Sequence, residues 1–435
     1  MQLTAFQSDS GDCLLLESKG AKHRVLIDGG MERAYTEHIA PALGLLRKGR
    51  KKLDVVYVSH IDADHISGIL QLLDDEAAWR VHEHQRRNGN AAHTPPPSPR
   101  PAEVGAIFHN SFHDQVGRNS GHVEDMLAAT ATILSGSEES WLIDVAQQRR
   151  DLVTSIPQAL KVSQRIKPNQ LNIPLNPEFA GKLMLVRDAM PDIQIGSIAL
   201  KLIGPFREDV TKLRTDWNAW LRNNRDAVDR IRSDAERDQQ RLGASEVDRV
   251  LSPLLVAAER LGATELAEAK RLGKRSRVTT PNLASLMFLA EENGQTILLT
   301  GDGHADDILK GLDHHNALDS DGTTQVDILK VQHHGSEHNI HQAFCDAVTA
   351  DAYVMCGNGE HENPDLEVLQ LIHDRRMAKD GKRFRFWFNS SSKVSASEDG
   401  KSHMAQVEAL VERLAKKSHG RLTNHFIKDS SITIR

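Results

Sequence analysis

The segment Asp54–His65 constrains the fold of this chain more than any other part of its sequence. Its first half, DVVYVSH (Asp54–His60), is rich in β-branched and aromatic residues and predicts a buried strand. The strand runs into SHIDADH (Ser59–His65), which places two histidines and two aspartates within six positions. A buried strand that delivers polar residues at its carboxyl end is typical of an α/β active site. The segment therefore predicts an α/β fold with a functional site at a sheet edge.

The spacing of these four polar residues suits a pair of metal ions. In a tight turn, His60 and Asp62 can face one cation while Asp64 and His65 face a second, and two-metal hydrolytic sites place their ions about 3.5–4 Å apart. An acidic surface loop is the alternative interpretation, and the strand before the motif argues against it. Of the 22 histidines in the chain, 17 fall in two windows, 60–122 and 304–373. Histidine is the commonest metal ligand in proteins, so both windows indicate metal chemistry.

Two later strand patterns end in the same way. QTILLTGD (Gln295–Asp302) delivers Asp302, and VDILKVQHHGS (Val326–Ser336) delivers His333 and His334. The four residues of the first motif are too few for two cations, and a binuclear site needs a bridging carboxylate and further histidines. We therefore expect Asp302 and the histidine pair to meet the first motif at one edge of the fold.

Composition narrows the class of protein. The 435 residues are 39% hydrophobic and 26% charged, which is typical of a folded globular chain, and no run approaches the ~18–20 apolar residues of a membrane helix. The N-terminus has no signal-peptide pattern, and the three cysteines form no CxxC motif. We therefore expect a cytoplasmic protein with no membrane partner. A net charge of -6 argues against a general nucleic-acid coat but not against a nuclease that supplies its own cations.

Residues 207–272 differ from their surroundings. Apolar residues recur there at helical spacing, and 15 Lys/Arg against 13 Asp/Glu between Arg207 and Arg275 predict a solvated helical hairpin. A DNA-gripping arm and a surface for a protein partner are the alternatives. Strand patterns stand on both sides, so we predict one discontinuous domain of residues 1–206 and 273–435, the second part carrying a C-terminal extension. The proline-rich stretch Pro95–Pro101 predicts a surface loop, with a docking site as the alternative.

The ordered set of motifs resembles a known family. HxDxDH, a strand-terminal TGD and a strand-terminal HHGS are similar to the metallo-β-lactamase fold, and more narrowly to the hydrolase domain of the ComEC-type DNA-uptake competence family. Ser10–Gly30, Asn282–Leu289 and Cys356–Ile372 resemble segments of the same branch. The resemblance covers about residues 1–75, 193–206 and 280–372. It implies an αββα sandwich, here with a helical insertion, and a metal-dependent hydrolase.

The resemblance also implies a role for each candidate residue. His60 and Asp62 would bind one cation, Asp64 and His65 the other, and Asp302 would bridge them. The implied metal ligands are His60, Asp62, Asp64, His65, His109, Asp302 and His334. The implied catalytic residues are Asp64, His333 and His361. Asp28 would support the ligands from the end of a strand.

Three of these assignments carry alternatives. One of His333 and His334 would be a ligand and the other would lie near the substrate, and we favour His334 as the ligand. The resemblance implies a further histidine on the first metal; His109 is the first candidate for it, because a short apolar run delivers it, and His113 is the second. The branch commonly has a His-Pro pair where this chain has Asn363-Pro364, so His361 is the candidate replacement. These 435 residues show no counterpart of the ComEC membrane channel, so the resemblance does not lead us to expect DNA transport.

These residues predict a hydrolase with two divalent cations, Zn2+ or Mn2+, as cofactors. The cations would hold a hydroxide near neutral pH, and Asp64 would orient it for attack on phosphorus or a carbonyl. The three carboxylates make manganese a credible alternative to zinc. The leading expectation is a phosphodiesterase or nuclease acting on DNA. The alternatives are an esterase or lactonase on a small molecule, or a weakly active partner subunit of a bacterial defence complex.

Overall fold

A computed structural model gives the fold, and it describes residues 1–110, 158–159, 161–211, 284–379 and 381–434. Short apolar runs separated by turns form the strands of this part of the chain. In chain order they are β1 (Gln2–Phe6), β2 (Leu14–Glu17), β3 (Arg24–Ile27), β4 (Lys52–Tyr57), β5 (Glu103–Phe108), β6 (Ile193–Ile195), β7 (Ile198–Gly204), β8 (Met287–Glu292), β9 (Gln295–Leu299), β10 (Thr324–Lys330), β11 (Val348–Met355), β12 (Phe384–Phe388), β13 (Leu422–Phe426) and β14 (Ser431–Ile434).

The strands form two sheets. One has six strands in the order β14-β1-β2-β3-β4-β5, and the other has eight in the order β13-β12-β11-β10-β9-β8-β7-β6. In the first sheet β3, β4 and β5 are parallel, and in the second β9 to β13 are parallel. Because parallel strands end at the same edge, the polar residues that follow β4, β9 and β10 are brought together.

The helices cover the outer faces of both sheets. They are α1 (Glu32–Ala34), a π-helical turn at Tyr35–Ile39, α2 (Ala40–Lys48), α3 (Ala63–Arg87), α4 (Ala305–His314), α5 (Gln342–Ala347), α6 (Leu366–Lys379) and α7 (Glu398–Lys417). Residues of α2 and α3 share one core with the six-stranded sheet, and residues of α4 to α7 share another with the eight-stranded sheet. A third core lies between the sheets, where the rings of Tyr57 and Phe288 meet edge to face with centroids 5.0 Å apart. The order of layers is therefore helix, sheet, sheet, helix.

This architecture confirms the predicted α/β class with two sheets between layers of helices. The division into residues 1–206, 207–272 and 273–435 stays a prediction, because residues 212–283 lie outside the described part of the chain. The strands on either side of that gap, β7 and β8, pair antiparallel in one sheet.

The proline-rich stretch 95–101 forms a loop against α3. The indole Nε1 of Trp79 donates to the carbonyl oxygen of Ser98 at 2.9 Å, and Arg100 pairs with Glu76 at 3.2 Å. These contacts hold the loop against the helix.

Candidate metal centre

The first motif lies where β4 gives way to α3. His60 follows the strand, Asp62 is the residue immediately before the helix, and Asp64 and His65 lie in the first helical turn. The chain must turn sharply here because the strand ends at Tyr57 and the helix begins at Ala63. All four side chains of the motif therefore lie within one turn at the sheet edge.

Asp302, which follows β9, lies at the centre of the cluster. Its Oδ2 atom faces the Nε2 atoms of four imidazole rings. The distances are 3.5 Å to His65, 3.5 Å to His334, 3.6 Å to His333 and 3.7 Å to His60. Histidines of the first motif, more than 200 residues before Asp302 in sequence, and the histidine pair that follows it thus converge on one carboxylate oxygen.

The other two aspartates of the first motif flank this centre. Asp62 Oδ2 lies 3.4 Å from His60 Nε2. Asp64 Oδ2 lies 3.1 Å from His334 Nε2, and its Oδ1 lies 3.7 Å from His65 Nε2. The Nε2 atoms of His60, His65 and His334 therefore each lie near Asp302 and one further carboxylate, whereas His333 Nε2 lies near Asp302 alone.

Each of the four rings is oriented through its Nδ1 atom. The partners are Ser59 Oγ for His60 at 3.0 Å, Asp28 Oδ2 for His65 at 2.9 Å, Asn339 Oδ1 for His333 at 2.6 Å and the Cys356 carbonyl oxygen for His334 at 2.8 Å. A carbonyl or carboxylate oxygen only accepts, and the Ser59 hydroxyl is already donating to Asp28, so these partners assign the proton to Nδ1. In the neutral form of each ring the lone pair is then on Nε2, the atom that faces Asp302. Metal-binding histidines are commonly oriented in this way.

Asp28 connects two parts of the site through its carboxylate. Its carboxylate accepts from the Ser59 backbone N–H at 2.7 Å, from Ser59 Oγ at 2.7 Å and from His65 Nδ1 at 2.9 Å. It is fully buried at the end of β3. Asp28 thereby fixes the ring of His65 and the backbone just before His60.

The histidine pair after β10 has an unusual backbone. His333 has a φ of 46° and His334 a φ of 56°, both in the left-handed region that residues with a Cβ rarely adopt. Such conformations cluster at functional sites because the surrounding structure must hold them in place. Here the backbone N–H of His333 donates to Gly301 at 3.2 Å. The turn directs both rings toward Asp302.

Sequence reasoning missed two residues of this site, Asp12 and Lys330. Gly11 packs so closely against α3 that a Cβ there would lie 1.7 Å from the Asp64 carbonyl oxygen, and this contact brings Asp12 into the cluster. Asp12 Oδ1 lies 3.2 Å from His334 Nδ1, and the Asp12 carboxylate contacts the Lys330 ammonium. The signal for Lys330 was a lysine inside the apolar run of β10, since a lysine that is buried must be paired.

The charges of the cluster reinforce one another. Burial raises the pKa of the Asp302 carboxyl, but the surrounding histidines, His334 first, hold it well below its ordinary value. Burial lowers the pKa of His65 and of His334, but Asp302 and the neighbouring carboxylates hold both well above the ordinary value. Burial raises the pKa of Asp64, and His65 and His334 more than offset this. The site thus favours positive charge among its carboxylates, which is the property a cation site requires.

The residues present fit a group of divalent cations. His60 Nε2, His65 Nε2 and Asp62 Oδ1 are buried and have no hydrogen-bond partner among the described residues. Asp12, His65, Asp302 and His334 each offer a ligand atom within 4.8 Å of the other three. Imidazole nitrogen and carboxylate oxygen are the donors that zinc and manganese accept. An ion among these atoms would satisfy buried groups that the protein leaves unpaired.

Two predicted residues lie outside this group of contacts. His109 follows β5 and is buried, and both its ring nitrogens lack a hydrogen-bond partner in the described part of the chain. Burial lowers the pKa of His109 to about 4. His361 lies in the short turn Glu360–Glu362, is exposed, and has no described contact with the cluster. The second choice for the missing histidine, His113, lies outside the described residues.

Comparison with known proteins supports a coarse assignment. A search of curated proteins finds no match to the chain. Among the described residues, no helix combines the length and the apolar character needed to cross a membrane. Residues 8–123, which contain Asp12, Asp28, the whole first motif and His109, match the family model of the Metallo-beta-lactamase superfamily, whose members are in general metal-dependent hydrolases.

Proposed function

We propose that this chain is a hydrolase that uses two divalent cations, Zn2+ or Mn2+, to cleave phosphodiesters, with DNA as the leading substrate. The observation that carries the proposal is the position of Asp302 Oδ2, which has four imidazole Nε2 atoms within 3.7 Å. A single carboxylate oxygen among so many lone pairs is suited to lie between two cations.

The same residues suggest how the ligands divide. His60 and Asp62 would hold one cation, Asp64 and His65 the other, and Asp302 would contact both. His334 would join the second group, because its Nε2 lies near both Asp64 and Asp302, at 3.1 and 3.5 Å. His109 would join the first, which is supported by its two unpartnered ring nitrogens.

The charge of the cluster supports two cations rather than one. The cluster holds five carboxylates, those of Asp12, Asp28, Asp62, Asp64 and Asp302. Lys330 offsets one of the five negative charges, and two divalent ions would offset the remaining four. A buried charge that is left uncompensated is costly, so electroneutrality favours this number.

When bound, two such cations activate a water as a nucleophile near neutral pH and neutralise charge that develops on the substrate. The side chains of this chain orient the reaction. The Asp64 carboxylate is 23% exposed, the most open of the carboxylates around Asp302, so it can accept a hydrogen bond from a water at the solvent side. The His333 ring, 10% exposed, faces the same centre and can accept a hydrogen bond at Nε2 once a substrate is present.

The choice of a phosphodiester rests on the chemistry of a dication pair and on the resemblance to the ComEC-type branch. One observation favours the alternative, an esterase or lactonase that acts on a small molecule. A cavity of about 720 Å³ is lined by Ser10, two residues from Asp12, and by four carboxylates and one guanidinium, those of Asp9, Glu32, Glu37, Glu360 and Arg33. Carboxylates there would repel a polyanionic backbone more than they would a small neutral ester.

A substrate panel separates these readings. The full chain is purified without added metal, analysed for bound metals, and loaded with Zn2+, Mn2+ or Mg2+. Single- and double-stranded DNA, bis(p-nitrophenyl) phosphate, p-nitrophenyl acetate and a simple lactone are then offered. We expect about two cations per chain and cleavage of the phosphodiesters.

Two variants make the result specific. Asp64→Asn removes a carboxylate of the centre and should abolish cleavage, whereas Asp74→Asn changes a carboxylate farther along α3 that pairs with Arg165 and should not. Hydrolysis of the carboxyl esters alone would select the alternative. No turnover with any of the three metals, or equal rates for both variants, would overturn the proposal.

A further inference from the structure

Lys330 carries a charged ammonium group into the interior of the fold. It is the last residue of β10, and only 1% of its surface is exposed. Lysine is almost never fully buried unless it is paired, because removing its charge from water is costly. The neighbours of Lys330 therefore identify what the charge does.

The ammonium lies behind the centre formed by the imidazole rings. Nζ donates to the Gly301 carbonyl oxygen at 3.0 Å, contacts the Asp12 carboxylate and lies 3.6 Å from Asp302 Oδ1. The Lys330 backbone is held as well, since Thr300 Oγ1 donates to its carbonyl oxygen at 2.7 Å. The side chain thus links the ends of β9 and β10 to the loop that carries Asp12.

Each of the two carboxylates that contact Lys330 uses one oxygen for the ammonium and the other for histidine. Asp302 presents Oδ2 to the four Nε2 atoms and Oδ1 to the ammonium. Asp12 presents Oδ2 to the ammonium and Oδ1 to His334 Nδ1, 3.2 Å away. By distance alone Asp12 belongs to a group of four residues that could hold an ion. The ammonium, however, already supplies the positive charge that the Asp12 carboxylate needs.

We propose that Lys330 is a positioning residue that serves as a permanent internal cation of the site. It neutralises Asp12, so that Asp12 does not bind metal, and it turns Asp302 so that Oδ2 faces the imidazoles. The proposal rests on the proposed metal site but not on hydrolysis. Removal of the ammonium should therefore leave Asp12 unpaired and available to a cation.

Four proteins test this: Lys330→Met, Asp12→Asn, the double variant, and Lys201→Met as the control. Lys201 on β7 pairs with Glu291 on β8 at 2.8 Å, and both side chains are partly exposed. Melting temperature is measured in EDTA, and the affinity for Zn2+ and Mn2+ is measured by competition with a chromogenic chelator. Neither measurement depends on turnover, so a chain that hydrolyses nothing would still test this inference.

In EDTA we expect each single variant to melt lower than wild type by on the order of 5 °C, because each leaves one charge buried without its partner. The double variant should recover most of this loss, and the control should change by no more than about 1 °C. With metal, K330M should bind one cation at least about tenfold more tightly than wild type, since Asp12 is released. The double variant restores the charge balance and should bind within about threefold of wild type.

The inference fails if the losses in melting temperature of the two single variants add in the double, or if K330M melts like wild type in EDTA. It also fails if the double variant binds cations more than tenfold more weakly than wild type, because Asp12 is then a metal ligand. If K330M alone does not fold, the melting temperature and the cation affinity of the double variant are compared with those of wild type. The double variant is suitable because it contains neither the unpaired Asp12 carboxylate nor the unpaired Lys330 ammonium. Equal cation affinity of wild type and K330M would likewise refute the release of Asp12.

Discussion

Replacing Asp28 with asparagine would keep the shape of a buried side chain but change what it can accept. The carboxylate accepts three hydrogen bonds, two from Ser59 and one from His65 Nδ1, all at 2.7–2.9 Å. Asparagine offers one oxygen and one NH2 group, so its nitrogen would face the protons on Ser59 Oγ and His65 Nδ1. The energetically accessible response is a change of tautomer that moves the His65 proton from Nδ1 to Nε2. The proton would then lie on Nε2, the ring atom that faces Asp302.

The magnitude follows from the bonds that are lost. Substitution of the partner that orients a metal-bound histidine typically lowers metal affinity by about 10–100-fold, or about 1.4–2.7 kcal/mol at 25 °C. Leaving a buried donor unsatisfied costs about 1–3 kcal/mol, so the free energy of unfolding of the metal-free protein should fall by roughly 2 kcal/mol.

Both quantities are measured on one set of samples, by chelator competition for Zn2+ and Mn2+ and by urea unfolding in EDTA. Asp54→Asn is the matched control, because Asp54 Oδ2 also accepts a backbone N–H bond, from Arg24 at 2.9 Å, but lies near the other end of β4. D54N should bind cations as wild type does. If D28N binds them within about threefold of D54N, the tautomer of His65 does not control the site, and the reasoning is wrong.

Three further results are expected. Because burial lowers the pKa of His109 to about 4, the unfolded chain takes up a proton that the folded chain does not. In EDTA this residue should make the stability fall as pH drops from about 6.5 toward 4, by up to about 1.4 kcal/mol per pH unit, and His109→Gln should make the slope shallower by that amount in pH-dependent urea unfolding. His334→Gln should lower cation affinity more than His333→Gln in chelator competition, since only His334 Nε2 lies within 3.1 Å of Asp64; equal losses would contradict this ranking. Phe288→Ala should cost about 3–5 kcal/mol of unfolding free energy in urea, because the fully buried ring fills the space between the sheets; a loss under about 1 kcal/mol would contradict its position there.

The strands that carry the site could be predicted because each combines an apolar run with a polar end. The pattern of each segment, Asp54–His60 and Gln295–Asp302, predicts both a buried strand and the polar residues at the end of that strand. The structure starts and ends the corresponding strands, β4 and β9, within a few residues of these patterns. Parallel pairing then brings their carboxyl ends to one edge, which a local pattern can anticipate.

The groups that orient the rings could not be predicted in this way. His333 depends on Asn339 and His334 on the Cys356 carbonyl oxygen, and these partners are fixed by the path of the backbone after β10 and β11. Asp12 enters the site only because Gly11 lets its loop approach α3 closely. Contacts of this kind arise from tertiary packing and cannot be predicted from the spacing of residues in the sequence or from composition.

The proposed cations would be held by residues from both sheets: His60 to His65 extend from β4 of one sheet, whereas Asp302 and His334 extend from β9 and β10 of the other. The ions would therefore connect the two sheets, in addition to the apolar layer that packs between them. Ligands that bind only the folded state raise its stability in proportion to the logarithm of their concentration. Removal of the metal would then weaken the association of the two sheets and lower the stability of the whole fold. The same ions that enable the chemistry would therefore also stabilise the folded protein.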